Sequence, residues 1–291
     1  MRGGVPPPEH LDAKKGGEAV AGGGAAREGR GLQVAVKLTP MIVIGTAGWS
    51  LPRAVAPAFP GEGQHLTRYA RVLGCAEINT SFYRPHRLET YARWAEQTPA
   101  GFRFSVKLPR TITHEGRLRR AKAPLTQFLS EVSGLGDKLG VLLVQLPPSQ
   151  VFEPRVVRNF FQLLREQHDG PVVCEPRHAS WFEPAAERAL QAHRVGRVGA
   201  DPAKVPVAAT PGGWLGEDGS GAGAAVYHRW HGSPRTYWSS YSAEQLQAWR
   251  DALRAWPKSA DCWCIFDNTA SGAAAENALA LQGLLASTGR R

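Results

Sequence analysis

Eight short stretches of this chain place chargeable or amide side chains where chemistry is possible. Glu77 and Asn79 are two residues apart, as are Ser105 and Lys107, Glu175 and Arg177, and Arg229 and His231. Gln145, Asp201 and Asn268 stand alone, and His114 lies in Thr111-Ile-Thr-His. In extended chain a two-residue spacing puts both side chains on one face. Two chemistries suit such a set. In the metal-free one, Lys107, Arg177 and Arg229 hold a phosphate or carboxylate. Glu77 or Glu175 then acts as general base, and His114 or His231 as acid. In the metal-dependent one, Glu77, Glu175, Asp201 and His231 ring a divalent cation. Lys107 and Arg177 argue against that, because they repel a metal unless phosphate bridges them. The plain structural alternative is ion pairing: Glu175 with Arg177 or Lys107, and Glu77 with Arg229. Charges inside a fold are costly unless paired or functional.

Asn79, Gln145 and Asn268 add hydrogen-bonding capacity for a substrate. Among the aromatic residues, Tyr83, Trp181 and Tyr241 follow apolar runs, where a ring can stack on a sugar or a base. Trp238 and Tyr241 serve equally well to pack the seventh loop against the barrel.

What must position these groups is a set of eight apolar runs. They are Ile42-Val-Ile-Gly-Thr, Ala76-Glu-Ile-Asn, Phe102-Arg-Phe-Ser-Val-Lys, Val141-Leu-Leu-Val-Gln, Val172-Val-Cys-Glu, Arg197-Val-Gly-Ala-Asp, Ala225-Val-Tyr-His-Arg-Trp-His and Cys262-Trp-Cys-Ile-Phe-Asp-Asn. Short apolar strands alternating with helices predict a parallel sheet. Eight of them predict a closed TIM-like (β/α)8 barrel, with its site at the carboxyl ends of the strands. Helical spacing appears over Gln64 to Leu73, around Leu88, Tyr91, Ala92 and Ala95, and around Leu125, Phe128, Leu129 and Val132. It recurs at Val157, Phe160, Phe161 and Leu164, over Pro184 to His193, after the capping box Ser242-Ala-Glu-Gln, and from Ala273 to Leu285. Pro202 to Gly223 is rich in Gly, Pro and Ala and shows no helix, so the sixth crossover is predicted to be a loop.

The chain has 291 residues. Residues 1–40 read as low complexity, either a disordered tail or a start assigned too early, with Met41 directly before the first strand. Residues 41–291 are the length of one barrel domain, ~250 residues. No uncharged apolar stretch reaches the ~18 residues of a membrane helix, so no membrane role is expected. The four cysteines fall in or beside strands, which suits reduced, buried thiols and a cytoplasmic protein. No secretory signal is visible. Cys262 and Cys264 lack the spacing of a zinc or redox pair. The net charge of +10 lies mostly outside the first forty residues and favours anionic partners. A small anionic substrate is the first expectation and nucleic acid the second, although no run of bases is long enough to be a binding arm. A metabolite sensor without turnover would need the same pocket. No cofactor is expected, with a divalent metal as the alternative; oligomeric state and localisation beyond this are not encoded.

The motifs taken together carry a resemblance. Gly45-Thr-Ala-Gly-Trp, Glu77-Ile-Asn-Thr-Ser-Phe-Tyr, Phe102-Arg-Phe-Ser-Val-Lys, Ile112-Thr-His, Gln145-Leu-Pro-Pro, Glu175-Pro-Arg-His-Ala-Ser-Trp, His231-Gly, Asn268-Thr and Asn277-Ala resemble the YecE-like family, domain of unknown function 72. The likeness runs from about Ile42 to Leu285 in one order. It implies a TIM-like barrel and no settled activity. Two departures stand out. Tyr227-His-Arg-Trp-His-Gly replaces a pattern of Val-Arg, an aliphatic residue and His-Gly, and Asp267 stands where the family often has Asn. The second adds a negative charge near the predicted rim.

Overall fold

Alternation along the strands separates two cores. In this computed structural model the described residues are 42–217, 219, 224–257 and 259–287. The expectation for residues 1–40 falls outside them. Parallel strands β1 (Ile42–Ala47), β2 (Cys75–Ile78), β3 (Arg103–Lys107), β4 (Leu139–Gln145) and β5 (Val172–Glu175) pair in chain order. Then come β6 (Val195–Arg197), β7 (Gly199–Asp201), β8 (Gly212–Gly213), β9 (Ala225–Trp230) and β10 (Asp261–Phe266). β6 pairs with β5, β7 with β9, and β10 with both β9 and β1. Val198 joins β6 to β7 and donates its N–H to the Cys174 carbonyl at 2.9 Å, so the two pieces act as one bent barrel strand. The result is a nearly closed, mostly parallel barrel of the TIM type. Its exception is β8, two glycines antiparallel to β6.

Every second residue faces the barrel interior. Val43, Cys75, Val141, Leu143, Val173, Val198, Ala225, Tyr227, Trp263 and Ile265 form that inner core. The outer residues pack under helices α1 (His65–Tyr69), α2 (Thr80–Tyr83), α3 (Leu88–Glu96), α4 (Lys122–Val132), α5 (Pro154–Arg165), α6 (Pro184–Ala192), α7 (Ala243–Arg254) and α8 (Ala273–Ala286). α5 shows why the spacing makes a helix. Pro154 opens it with a preset φ, and Val157, Phe160, Phe161 and Leu164 form its buried stripe. Each such side chain contributes roughly 1.5–3 kcal/mol by leaving water. Ser242 Oγ accepts the Gln245 N–H and caps α7.

Among its described residues the sixth crossover holds one 3-10 turn at Pro206–Ala209 and the two-residue β8, and no α-helix, as its composition predicts; residues 218 and 220–223 of the predicted loop fall outside the described ones. The sixth strand starts at Val195, earlier than the Arg197 read from sequence, and breaks at Val198. Two short elements carried no periodic signal: α2, and a π-helical turn at Thr111–Glu115 that holds His114. Both lie just after strand ends. Among the described residues no helix is long and apolar enough to cross a membrane.

Close approach fixes Gly140. A Cβ built there would lie 2.4 Å from the Trp263 ring, which fills the lower barrel and stacks on Tyr227 at 6.0 Å. Gly140→Ala is therefore expected to cost about 1–3 kcal/mol through overpacking. A urea midpoint equal to that of the wild type would disprove it.

Candidate functional site

Inward positions at the carboxyl ends of the strands turn from apolar to charged. The alternation that puts Tyr227 inside also puts Arg229 and His231 there. The same rule brings in Glu77, Lys107, Gln145, Glu175 and Asp267. Arg229 lies at the centre and is fully buried. Its Nε donates to Glu77 Oε2 at 3.0 Å and its Nη2 to Glu77 Oε1 at 2.7 Å. Nη2 also donates to Asp267 Oδ2 at 2.9 Å, and Nη1 to Glu175 Oε2 in a short contact. One guanidinium thus holds three carboxylates in its fixed plane, a geometry that lysine cannot supply.

The surrounding groups saturate the carboxylates. Tyr227 Oη donates to Glu77 Oε2 at 2.9 Å and shares a 2.6 Å bond with Ser105 Oγ. Glu175 Oε1 accepts from Arg177 Nε at 2.9 Å, and both its oxygens accept from Gln145 Nε2. His231 has Glu175 against Nε2 at 3.1 Å and Asp267 against Nδ1 at 2.9 Å. An acceptor on each nitrogen calls for a proton on each. Burial opposes that charge on His231, but Glu175 and Asp267 prevail and raise its pKa. Burial would likewise raise Glu175 and Asp267; Arg229 and the neighbouring cations hold both below the usual carboxylate range.

Lys107 is different. Its side chain is 9% exposed, and among the described residues Nζ has no ion pair and no hydrogen bond. It sits 4.1 Å above the centre of the Phe82 ring. Burial first, and Arg229 second, bring its pKa down from 10.5 to about 8. His114 meets the same ring edge-on at 4.8 Å. Burial, with Lys107 and Arg177 nearby, brings His114 down to about 4, so at neutral pH its imidazole is neutral.

The expected residues therefore divide. Glu77, Lys107, Gln145, Glu175, Arg177, Arg229 and His231 converge, with His114 beside Lys107 through Phe82. Glu175 pairs with Arg177 but not with Lys107. Asn79 Oδ1 is buried with no hydrogen-bond partner among the described residues. Tyr83 is 73% exposed on α2. Stacking on a ligand is corrected for two residues. Trp181 is fully buried, with Nε1 donating to the Gln150 carbonyl at 2.9 Å and Phe152 against its ring. Tyr241 packs on Trp249, and its Oη donates to Asp201 Oδ1 at 2.8 Å. Neither ring has a free face, because both follow strand ends only in sequence and turn outward into the helical layer. Asn268 donates to the Ser239 carbonyl and to Asn277 Oδ1, and its own Oδ1 is buried with no hydrogen-bond partner among the described residues.

The ring of Glu77, Glu175, Asp201 and His231 does not fit a divalent ion. A guanidinium stands among the first two, and Tyr241 engages Asp201. Among the described residues no group of three His, Cys, Asp or Glu is placed to hold a metal. Asp267, Tyr227 and Phe82 also belong to the site. The two-residue period reveals the first two, one step beyond Ile265 and one before Arg229. Phe82 had no such signal, because it lies on a one-turn helix.

Comparison with known proteins bears on the family and the fold. The family model "Protein of unknown function DUF72" matches residues 43–291. The chain is 35% identical over 166 residues to the UPF0759 protein YecE of Escherichia coli K12, covering 54% of this chain and 58% of that protein. It is 26% identical over 155 residues to the UPF0759 protein YunF of Bacillus subtilis, covering 50% and 53%. The aligned part spans little more than half the length of these relatives. The crystal structure of a DUF72 family protein from Enterococcus faecalis superposes with a TM-score of 0.66 at 25% identity, covering 84% of this chain and 98% of that one. One from Thermotoga maritima gives 0.67 at 24%, covering 84% and 99%, and so speaks for the fold. The extent of the family match, with the barrel it shares, places this chain in the DUF72 family.

Proposed function

We propose that the chain is an enzyme that acts on a small phosphorylated or carboxylated substrate at the carboxyl end of its barrel. The observation that carries this is the unpartnered Lys107. Arg229, Arg177, His231 and Lys107 face three carboxylates, Glu77, Glu175 and Asp267, and the three other cations already occupy those carboxylates. One positive charge is left over in a setting of low dielectric, where an anion gains most. Arg177, less deeply buried than Arg229, offers a second donor at the rim.

In this reading the roles differ from a simple pair of acid and base carboxylates. Glu77 is enclosed and fixes Arg229, so it serves as support. Glu175 fixes Arg177 and His231. His231, held as imidazolium, is the acid, and His114, held neutral, is the base. Lys107 and Arg177 bind the substrate's anionic group.

Thermal stability in the presence of inorganic phosphate, pyruvate or glycerol phosphate tests the reading. A ligand at a hundred times its Kd stabilises the native state by about 2.7 kcal/mol. The wild type is expected to show such a rise with at least one of these anions, and Lys107→Met to show none. Equal rises in both proteins, or a response only to duplex DNA, would overturn it.

A further inference from the structure

Anion binding alone does not explain why the leftover cation is a lysine on an aromatic ring. Two guanidinium groups and an imidazolium already stand in the site, each tied to carboxylates. Lys107 has no such anchor. Its Nζ faces the Phe82 ring, which stabilises the charged form only by its π face. A buried amine next to other cations, with no carboxylate of its own, is the arrangement that makes a lysine nucleophilic. The charged groups acting on it are Arg229, Glu77, Glu175 and Asp267 within the barrel and His114 on the turn after β3. All three carboxylates are held by other residues.

We infer that Lys107 Nζ is a covalent nucleophile that captures the carbonyl carbon of a small anionic aldehyde or ketone as an imine. This inference rests on the anionic-substrate reading above and names the substrate class. With its pKa lowered, part of the Lys107 ammonium sheds a proton to solvent at neutral pH and frees the lone pair, with His114 against the same ring. The pair forms a C–N bond to the carbonyl carbon while the π electrons move to oxygen, and a proton then passes from the nitrogen to that oxygen, which restores the nitrogen lone pair. That oxygen then leaves as water with a second proton, supplied by His231 and replaced there by the one the ammonium shed, and the nitrogen lone pair closes the C=N bond. In sum, one ammonium and one carbonyl compound become one iminium and one water, with no oxidant or reductant consumed. Arg177 binds the carboxylate or phosphate of the captured molecule. The iminium withdraws electrons from the adjacent carbon, which suits proton removal or carbon–carbon cleavage there.

Reductive trapping tests this on the full chain. The protein is incubated at neutral pH with glyoxylate, a small anionic aldehyde, and cyanoborohydride, and the carboxymethylated lysines are mapped by peptide mass. Lys122 and Lys204, both exposed, serve as internal references. Lys107 is expected to react about tenfold faster than either, or more, because more of it is the free amine. Reaction of Lys107 no faster than these two would overturn the inference. A phosphate-induced stabilisation that depends on Lys107, with no selective label, would leave the anion site standing and remove only the covalent step. The absence of both would remove the two readings together.

Discussion

Arg229→Met is expected to lose about 3–5 kcal/mol of stability, the largest single effect in the barrel. The guanidinium is fully buried and carries bonds to Glu77, Glu175 and Asp267. Removing it leaves three carboxylates facing one another, held by His231, Arg177, the Gln145 amide and a tyrosine hydroxyl. Glu77 is worst placed, since Arg229 is its one cationic partner among the described residues. Arg229→Lys is expected to recover little, because an ammonium cannot reach three carboxylates in one plane. Adding Glu77→Gln to Arg229→Met is expected to restore part of the loss by removing the stranded charge. Urea unfolding of the three variants measures this. A loss below about 1 kcal/mol for Arg229→Met would mean that the cluster is solvated and that the ion-pair account fails.

The same cluster shows what the sequence could and could not reveal. Glu77, Lys107, Glu175, Arg229 and His231 were legible because strand periodicity has only two phases. Once the apolar runs are strands of a barrel, the inward phase is fixed by residues such as Val173 and Tyr227, and the polar ends follow. Ion pairing of Glu77 with Arg229 and of Glu175 with Arg177 was legible too, as a choice among partners. The isolation of Lys107 was not. It depends on which of several cations wins each carboxylate, and that is set by reach and plane. Trp181 and Tyr241 show the opposite limit. A residue just beyond a strand end can turn toward the barrel mouth or out under a helix, and no two-residue rule governs a loop. Trp181 went outward to the Gln150 carbonyl, Tyr241 to Asp201 and Trp249. Phe82 went the other way, because α2 turns it back over Lys107.

Lys107→Met is expected to make the protein more stable at neutral pH while abolishing its response to anions. The folded-state pKa of about 8 lies below the ordinary lysine value of 10.5, and the side chain is 9% exposed. Holding the ammonium there costs up to about 3 kcal/mol. Methionine removes that cost and fits the same slot on Phe82, but forfeits a cation–π contact of about 0.5–2 kcal/mol. A net gain of about 1–2 kcal/mol remains, which is a rise of a few degrees in Tm. The pH dependence has a definite sign. Below about 8 both the folded and the unfolded wild type carry the proton, and the full cost applies. Between about 8 and 10.5 the folded state releases it while the unfolded state keeps it, so the stability of the wild type rises relative to the variant. Above that range the ammonium cost is gone, and any residual difference reflects packing. The gap between the two proteins should thus be widest at neutral pH and close through this window, against a shared background from Glu77, Glu175, Asp267, His114 and His231. A Lys107→Met protein less stable than the wild type at pH 7 would mean that the amine has a structural partner. Under the proposed function, the stability lost by retaining this lysine is the counterpart of its binding an anion, a trade of stability for activity.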